Sequence, residues 1–472
     1  MNIIGREHEI KILQDLLSSS KSELVAIYGR RRIGKTFLVS EVFKSQIVFE
    51  VTGLHNGSMK NQLLNFHKQI VESFNKLPVG NQPPNDWSQA FSILGKCIDS
   101  IKSKNKKVIF IDEFPWLASR RSNFLMWFEN FWNTYCVKRN DLVVVICGSA
   151  ASYMVNDIIQ NKGGLHNRVT RKIRLLPFNL HETKLFLESR SIKLESYDIL
   201  LLYMAIGGVP RYLEMIRKGQ SVAQNIDRLC FENNGELRNE FNEVFASLFN
   251  NSSTHTAIIK ALAQTHKGIT RKELLEKCKL QQSGFTSNIL NELTESGFVA
   301  QYTPFGKKNR NSLFRLSDEY CMFYLKFIEP YASTGQGTWE RLSVKQNFKI
   351  WTGFAFETIC LKHIQQIKNE LGIGKVFTVQ SSWAGNSAQI DMVIDRDDNR
   401  INLCEMKFYN DLYTIDKSTY ENLQNKLRCF REEVKPRKSV YFTFITSYGL
   451  KENSYSLHIV ENSIRMDCLF LS

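Results

Sequence analysis

Gly29, Gly34, Lys35 and Thr36 are spaced as a phosphate-binding loop requires. The run Gly29-Arg30-Arg31-Arg32-Ile33-Gly34-Lys35-Thr36 fits the pattern G-x-x-x-x-G-K-[ST]. Glycines let backbone N–H groups curl around phosphate oxygens, and a helix starting at the loop's end adds the positive end of its dipole. Lys35 is expected on the β- and γ-phosphates, and the Thr36 hydroxyl on Mg²⁺. Arg30, Arg31, Arg32, Ile33 and Phe37 join the nucleotide contacts as the loop's interior and the first turn beyond it. A basic turn between a strand and a helix would have a similar composition. Here, however, the apolar run Glu23–Tyr28 precedes the loop and a helix-compatible segment follows, which is the context the pattern needs.

Two further strand ends carry chemistry. Val108-Ile109-Phe110-Ile111-Asp112-Glu113 reads as a buried parallel strand with two carboxylates at its C-terminal tip, where an open α/β sheet meets its ligand. Asp112 is expected in the Mg²⁺ shell, and Glu113 is expected to orient or deprotonate the attacking water. Leu142–Cys147 is another buried strand, ending at Gly148-Ser149. Ser149 either senses the γ-phosphate or caps the strand. The loop Gly163–Arg168 bears one arginine. Arg168 either neutralises transition-state charge, in cis or from a neighbouring subunit, or is an ordinary surface residue.

A different chemistry is written near the C-terminus. Gln389–Ile394 is an apolar strand interrupted by Asp391, and after a turn Ile401–Lys407 carries Glu405 and Lys407. Residues two apart in a strand share a face, so Glu405 and Lys407 point together, and a hairpin would bring Asp391 beside them. Two carboxylates and a lysine on one face suit a Mg²⁺ site with a group to position water or steady charge at phosphorus. A charged hairpin with an internal salt bridge would show the same residues. Lys426, Arg428, Arg431, Lys435, Arg437 and Lys438 either line a nucleic-acid face or form a solvated helix.

The elements that position these residues follow from periodicity. Apolar residues at Ile10, Leu13, Leu16 and Leu17 predict a helix before the first strand. A second strand is expected over Ile47–Val51, a helix over Asn61–Phe74, a surface loop from Leu77 to Asp86, and a strand over Lys172–Leu176. A helical lid then leads to the turn Gly207-Gly208-Val209-Pro210-Arg211. From about Ser252 to Glu329, three short helices precede two strands that bracket Pro304–Asn311 with Lys307, Lys308 and Arg310. Thr270 with Glu273 makes a capping-box start for the second helix. This is the pattern of a winged helix-turn-helix, whose third helix would enter the major groove. Plain protein-interaction modules share that fold.

The length of 472 residues suggests about three domains. Ten cysteines without a C-x-x-C pair argue for reduced, mostly buried thiols and against a zinc site. A net charge of +15 makes a polyanionic partner plausible. No apolar run reaches membrane-span length and no signal-peptide core is visible, so a cytoplasmic protein without a membrane partner is expected.

The order of Gly5-Arg6-Glu7, the phosphate loop, Asp112-Glu113, Gly148-Ser149 and Gly208-Val209-Pro210 resembles the archaeal-type ATPases, a branch of the AAA+/STAND P-loop NTPases. The resemblance spans roughly residues 1–240. It implies that Gly5, Arg6 and Pro210 flank the adenine, that Glu113 activates water, and that ATP and Mg²⁺ are bound. Asp391…Glu405-x-Lys407 resembles the PD-(D/E)xK nuclease superfamily over roughly residues 345–472, with Ile390 where the naming proline would stand. That resemblance adds Glu357, on the preceding helix, to the metal-ligand set of Asp391 and Glu405.

The expected architecture is α/β. It comprises a P-loop NTPase core (1–178), a helical lid (179–250), an α+β winged helix (251–330) and a restriction-endonuclease-like α/β domain (345–472). The expected function is ATP binding and hydrolysis coupled to DNA binding, with a Mg²⁺-dependent nuclease-like tail. The alternative is a STAND-type nucleotide-dependent signalling switch whose tail does not cleave. ATP/ADP and DNA are the expected partners, and a homo-oligomer stays open.

Overall fold

The computed structural model describes residues 3–75, 82–118, 122–149, 153–159, 168–249, 252–265, 267–308, 311–332 and 334–472. Leu77 to Asn81 of the expected surface loop, Gly163 to Asn167 and Arg310 lie outside the described residues. The chain divides into two compact units, Met1–Leu176 and Pro177–Ser472.

The first unit is built on a parallel sheet. Its strands are β1 (Glu23–Tyr28), β2 (Ile47–Thr52), β3 (Lys107–Asp112), β4 (Leu142–Gly148) and β5 (Arg171–Arg174), in the order β2-β3-β4-β1-β5. β3 and β4 are buried along their whole length, because helices cover both faces and leave no polar side for an alternating pattern. β1 shows how two cores are made from one strand. Leu24 and Ala26 join an aromatic-rich core with Phe66, Trp87, Phe91, Phe124 and Phe128. Val25 and Ile27 join the opposite core with Leu13, Leu38 and Val143, as the period of two dictates. Side-chain caps start two of the covering helices. Ser58 accepts from the Asn61 N–H ahead of Met59–Ser73, and Asp86 from the Gln89 N–H ahead of Trp87–Asp99. The last strand begins one residue before its expected start, because its ladder with β1 runs from Val25 opposite Arg171 to Tyr28 opposite Arg174.

The second unit opens with helices Leu180–Ser189, Ser196–Ile206, Val222–Cys230 and Glu240–Leu248. Helices Ser252–Ala263, Arg271–Lys277 and Gly284–Glu295 follow, with an antiparallel sheet of β6 (Ile269–Thr270), β7 (Val299–Tyr302) and β8 (Leu313–Leu316) in the order β6-β8-β7. Thr270 and Glu273 form the reciprocal capping box that their spacing suggests. Helix Gln346–Lys362 leads to a mixed sheet of β9 (Thr378–Ala384), β10 (Gln389–Arg396), β11 (Arg400–Lys407), β12 (Ser439–Thr446) and β13 (Val460–Arg465), ordered β13-β12-β11-β10-β9. β9, β10 and β11 run antiparallel, whereas β11, β12 and β13 run parallel. Helix Lys417–Val434 supplies the crossover between β11 and β12. One apolar core runs from Phe178 to Phe470 through the helices of this unit up to Gln346–Lys362 and one face of β10 to β13. A second lies on the other face of the C-terminal sheet, around Trp383, Phe430 and Phe442.

Candidate functional site

In the first unit the tips of β1, β3 and β4 carry the groups with chemical potential. The strand order puts β4 between β1 and β3, so Asp112, Glu113 and Ser149 end on neighbouring strands. Beyond β1 the chain makes a turn that only glycine tolerates. Gly29 has φ +150°, and a Cβ there would lie 2.2 Å from the Leu175 carbonyl oxygen. Gly34, at φ 86°, is the N-cap of helix Lys35–Val42. Arg32 at φ 70°, Arg6 at φ 62° and Glu113 at φ 44° hold the same left-handed backbone without being glycine. Such geometry costs about 1–3 kcal/mol per residue and persists where surrounding structure over-determines it.

The loop wraps its own lysine. Lys35 Nζ donates to the carbonyls of Gly29 and Arg30, each at 2.9 Å. Burial pushes its pKa down, against the upward pull of Glu113, Cys147 and Asp112. A buried ammonium surrounded by loop carbonyls and carboxylates suits an anionic ligand. Thr36 Oγ1 donates to Asp112 Oδ2 at 2.7 Å, and the Glu113 N–H donates to Asp112 Oδ1 at 2.9 Å. Burial raises the pKa of Asp112 although both of these bonds oppose it. Burial also raises that of Glu50 on β2, with Asp112 adding to the effect. A hydroxyl and a buried carboxylate in contact are hard oxygen donors of the kind Mg²⁺ takes alongside phosphate and water. Among the described residues no cluster of three or more His, Cys, Asp or Glu side chains forms a ready metal cage.

Ser149 makes a specific contact. Its hydroxyl lies 2.8 and 2.7 Å from the two Glu113 carboxylate oxygens, and its N–H donates to Glu113 Oε2 at 3.3 Å. Arg6 is buried, and its Nη2 donates to the carbonyls of Leu176 at 2.6 Å and Ile33 at 3.4 Å. It therefore braces the loop from behind. Gly5 precedes it at φ 66°. Arg31 stacks 5.0 Å over the Trp116 ring, which itself meets the edge of His55. Arg30 and Ile33 are buried, Phe37 is 40% exposed, and Arg168 is exposed. Pro210 begins the short helix Pro210–Leu213 in the second unit.

The second unit assembles the C-terminal constellation. The β10–β11 ladder pairs Met392 with Cys404 and Val393 with Leu403, so the next step sets Asp391 against Glu405. Glu405 is 3% exposed and is held between two lysines. Lys407 Nζ lies 3.3 Å from Oε2, and Lys426 Nζ donates to Oε1. Asp391 accepts from Gln389 Nε2 at 2.8 Å. Glu357, from helix Gln346–Lys362, has its pKa raised to about 7, first by burial and then by Asp391. Burial works to lower the pKa of Lys407, yet Glu405 and Tyr413 keep it above its ordinary value. Glu357, Asp391 and Lys426 open on a cleft of 750 Å³ whose far wall includes Thr265, Lys267 and Ile269. Glu357 and Asp391 are open to a cation there, while both oxygens of Glu405 already face ammonium groups. Lys426 was legible in the sequence only as one member of a basic helix. The signal for its role is its reach from a different element, which spacing does not encode.

Residues 3–216 match a family described as an ATPase domain predominantly from Archaea. Residues 324–423 match a family of archaeal and bacterial proteins of unknown function. An uncharacterized protein of Methanocaldococcus jannaschii is 24% identical over 427 residues, covering 90% of this chain and 91% of that one. Among solved structures, the Walker-type ATPase of Pyrococcus abyssi is similar at 15% identity and a TM-score of 0.49, over 68% of this chain and 96% of that one. The Aeropyrum pernix ORC2 protein is similar at 18% identity and a TM-score of 0.41, over 72% and 94%. The family match and the loop geometry together support ATP binding by an archaeal-type P-loop ATPase domain. Among the described residues no helix is long and apolar enough to cross a membrane.

Proposed function

We propose that the chain hydrolyses ATP in its first unit, and that its second unit binds DNA and acts on phosphodiester bonds with a divalent cation. The observation that carries the hydrolysis reading is the convergence of Lys35, Thr36, Asp112 and Glu113 at the tips of β1 and β3, on either side of β4. Lys35 would release the Gly29 and Arg30 carbonyls to meet phosphate oxygens. Thr36 and Asp112 would hold Mg²⁺, which neutralises charge building on the phosphates. Glu113 would take or orient the proton of the attacking water, and Ser149 fixes the direction of that carboxylate. Arg6 keeps the loop in shape through the Ile33 carbonyl.

In the second unit, helices Ser252–Ala263, Arg271–Lys277 and Gly284–Glu295 with the β7–β8 hairpin support a winged-helix reading, with Lys307 and Lys308 exposed on the hairpin. The restriction-endonuclease-like reading of 345–472 rests on Asp391, Glu405 and Lys407 sharing a hairpin, with Glu357 nearby. There Glu357 and Asp391, with Glu405, would hold the cation, whose role is to polarise a phosphodiester. The test is paired. ATP turnover should be measured with and without DNA, and nicking of a supercoiled plasmid should be measured in Mg²⁺ for the wild type and Asp391→Ala. DNA-stimulated turnover and Asp391-dependent nicking support the proposal; nicking that survives Asp391→Ala counts against the second half.

One observation favours the signalling-switch alternative for the first unit. Both oxygens of Glu113 are engaged by Ser149, a posture suited to slow turnover. Tight ADP retention with negligible hydrolysis would select that reading.

A further inference from the structure

Two lysines hold Glu405, but they stand on different sides of it. Lys407, from β11, meets Oε2 and has Tyr413 for a neighbour. Lys426, from the middle of helix Lys417–Val434, meets Oε1 and lines the 750 Å³ cleft beside Asp391 and Glu357; Lys407 is not among the residues lining it. Asn422, Asn425 and Lys426 fall at helical spacing on one face and line the same wall. Lys267 lines the opposite wall, in a turn fixed by the Tyr302 hydroxyl, which donates to the Lys267 carbonyl at 2.7 Å.

The lining sets amides, hydroxyls, the ammonium groups of Lys267 and Lys426 and the carboxylates of Glu357 and Asp391 among the apolar side chains of Ile269, Phe354 and Ala388. The basic hairpin is also tied to this sheet. The Phe305 N–H donates to the Ser382 carbonyl at 2.7 Å, and the Phe305 ring lies 5.5 Å from that of Phe430. Exposed Lys307 and Lys308 follow directly. Cations on both walls, and a basic hairpin anchored beside them, describe a track for a repeating polyanion.

We infer that Lys426, with Asn425 and with Lys267 across the cleft, is the phosphate-holding subsite for the backbone of a nucleic-acid strand, whereas Lys407, outside the cleft lining, pairs with the other oxygen of Glu405. This rests on reading the cleft as a phosphodiester site. It assigns the substrate-facing cation to the helix rather than to the lysine of the Glu405-x-Lys407 motif.

The test uses the full chain and a fluorescein-labelled oligonucleotide in Ca²⁺, so that binding is read without turnover, over a series of salt concentrations. Lys426→Met should raise Kd about tenfold and flatten the slope of log K against log salt by about one, as expected for one lost phosphate contact. Lys426→Arg should restore both. Glu405 keeps Lys407 as its partner in Lys426→Met, so an unchanged melting temperature of that variant separates lost contact from misfolding. The Kd penalty of Lys407→Met should be several-fold smaller, and Lys417→Met, at the exposed start of the same helix, should change Kd little. Equal penalties at Lys407 and Lys426, an unchanged salt slope in Lys426→Met, or no binding by the wild type would overturn the inference. Cleavage in Mg²⁺ tests the underlying reading separately. A wild type that binds without cutting, with Lys426→Met weakening that binding, keeps the subsite and removes the nuclease.

Discussion

His363 offers a perturbation whose size follows from its surroundings. It lies buried beyond the end of helix Gln346–Lys362, with Nδ1 2.8 Å from the Ile359 carbonyl and Nε2 3.0 Å from the Leu180 N–H. Nε2 therefore accepts, Nδ1–H donates, and the ring is neutral. Protonation would set a second N–H against the Leu180 N–H, at the positive end of helix Leu180–Ser189. Burial accordingly drives the pKa from 6.5 down to about 4. The folded chain thus binds this proton more weakly than the unfolded chain. The stability contribution is complete above pH 6.5, declines as pH falls toward 4, and is flat below. At about 1.4 kcal/mol per tenfold change in proton affinity, the ceiling is about 3 kcal/mol. The wild-type profile alone does not isolate the effect, because Glu357, raised to about 7, contributes with the opposite sign between its folded and unfolded pKa values. The assay is urea denaturation of the full chain at pH 7 and pH 4.5, comparing wild type with His363→Gln, which keeps an acceptor but does not titrate. The wild type should lose about 2–3 kcal/mol more than the variant across that interval. Identical pH dependence in the two proteins would refute the reasoning.

Other outcomes follow from the same geometry. Glu113→Gln should leave ATP affinity within a few-fold and lower turnover roughly a hundredfold or more, read as phosphate release; undiminished turnover would remove Glu113 as the base. Gly29→Ala, whose Cβ would sit 2.2 Å from the Leu175 carbonyl oxygen, should abolish nucleotide binding or lower the melting temperature of the first unit, monitored by calorimetry with ATP present. Asp227 accepts from the Gly337 N–H at 2.6 Å and the Trp339 N–H at 2.7 Å. Asp227→Ala should therefore cost about 2 kcal/mol in denaturant titration, because the buried Trp339 N–H and the half-buried Gly337 N–H lose their acceptor.

What the sequence made legible was local. The phosphate loop could be read because its chemistry constrains the backbone: glycine at 29 and 34 is demanded by torsion and close approach, whatever the rest of the fold does. β3 and β4 could be read because strands buried on both faces are continuously apolar. Contacts between distant segments left no such mark. Arg6 was expected beside the adenine, and only the fold brings it to the carbonyls of Ile33 and Leu176. Ser149 had two readings from its place at a strand end, and neither included its hydrogen bonds to Glu113. Lys426 sat among Arg428 and Arg431 on a helix whose spacing fits a solvated face, yet it reaches Glu405 on β11. His363 had no local pattern at all, because its partner lies 183 residues away.

The central claim is that a nucleoside triphosphate and Mg²⁺ settle on the loop between β1 and helix Lys35–Val42. Isothermal titration of ATP into the full chain in magnesium buffer, beside Lys35→Ala and Thr36→Ala, tests it most directly. The wild type should bind saturably, Lys35→Ala should lose most of that affinity, and Thr36→Ala should lose its magnesium dependence. A wild-type chain with no measurable heat or affinity, or a Lys35→Ala variant that binds equally well, would contradict it.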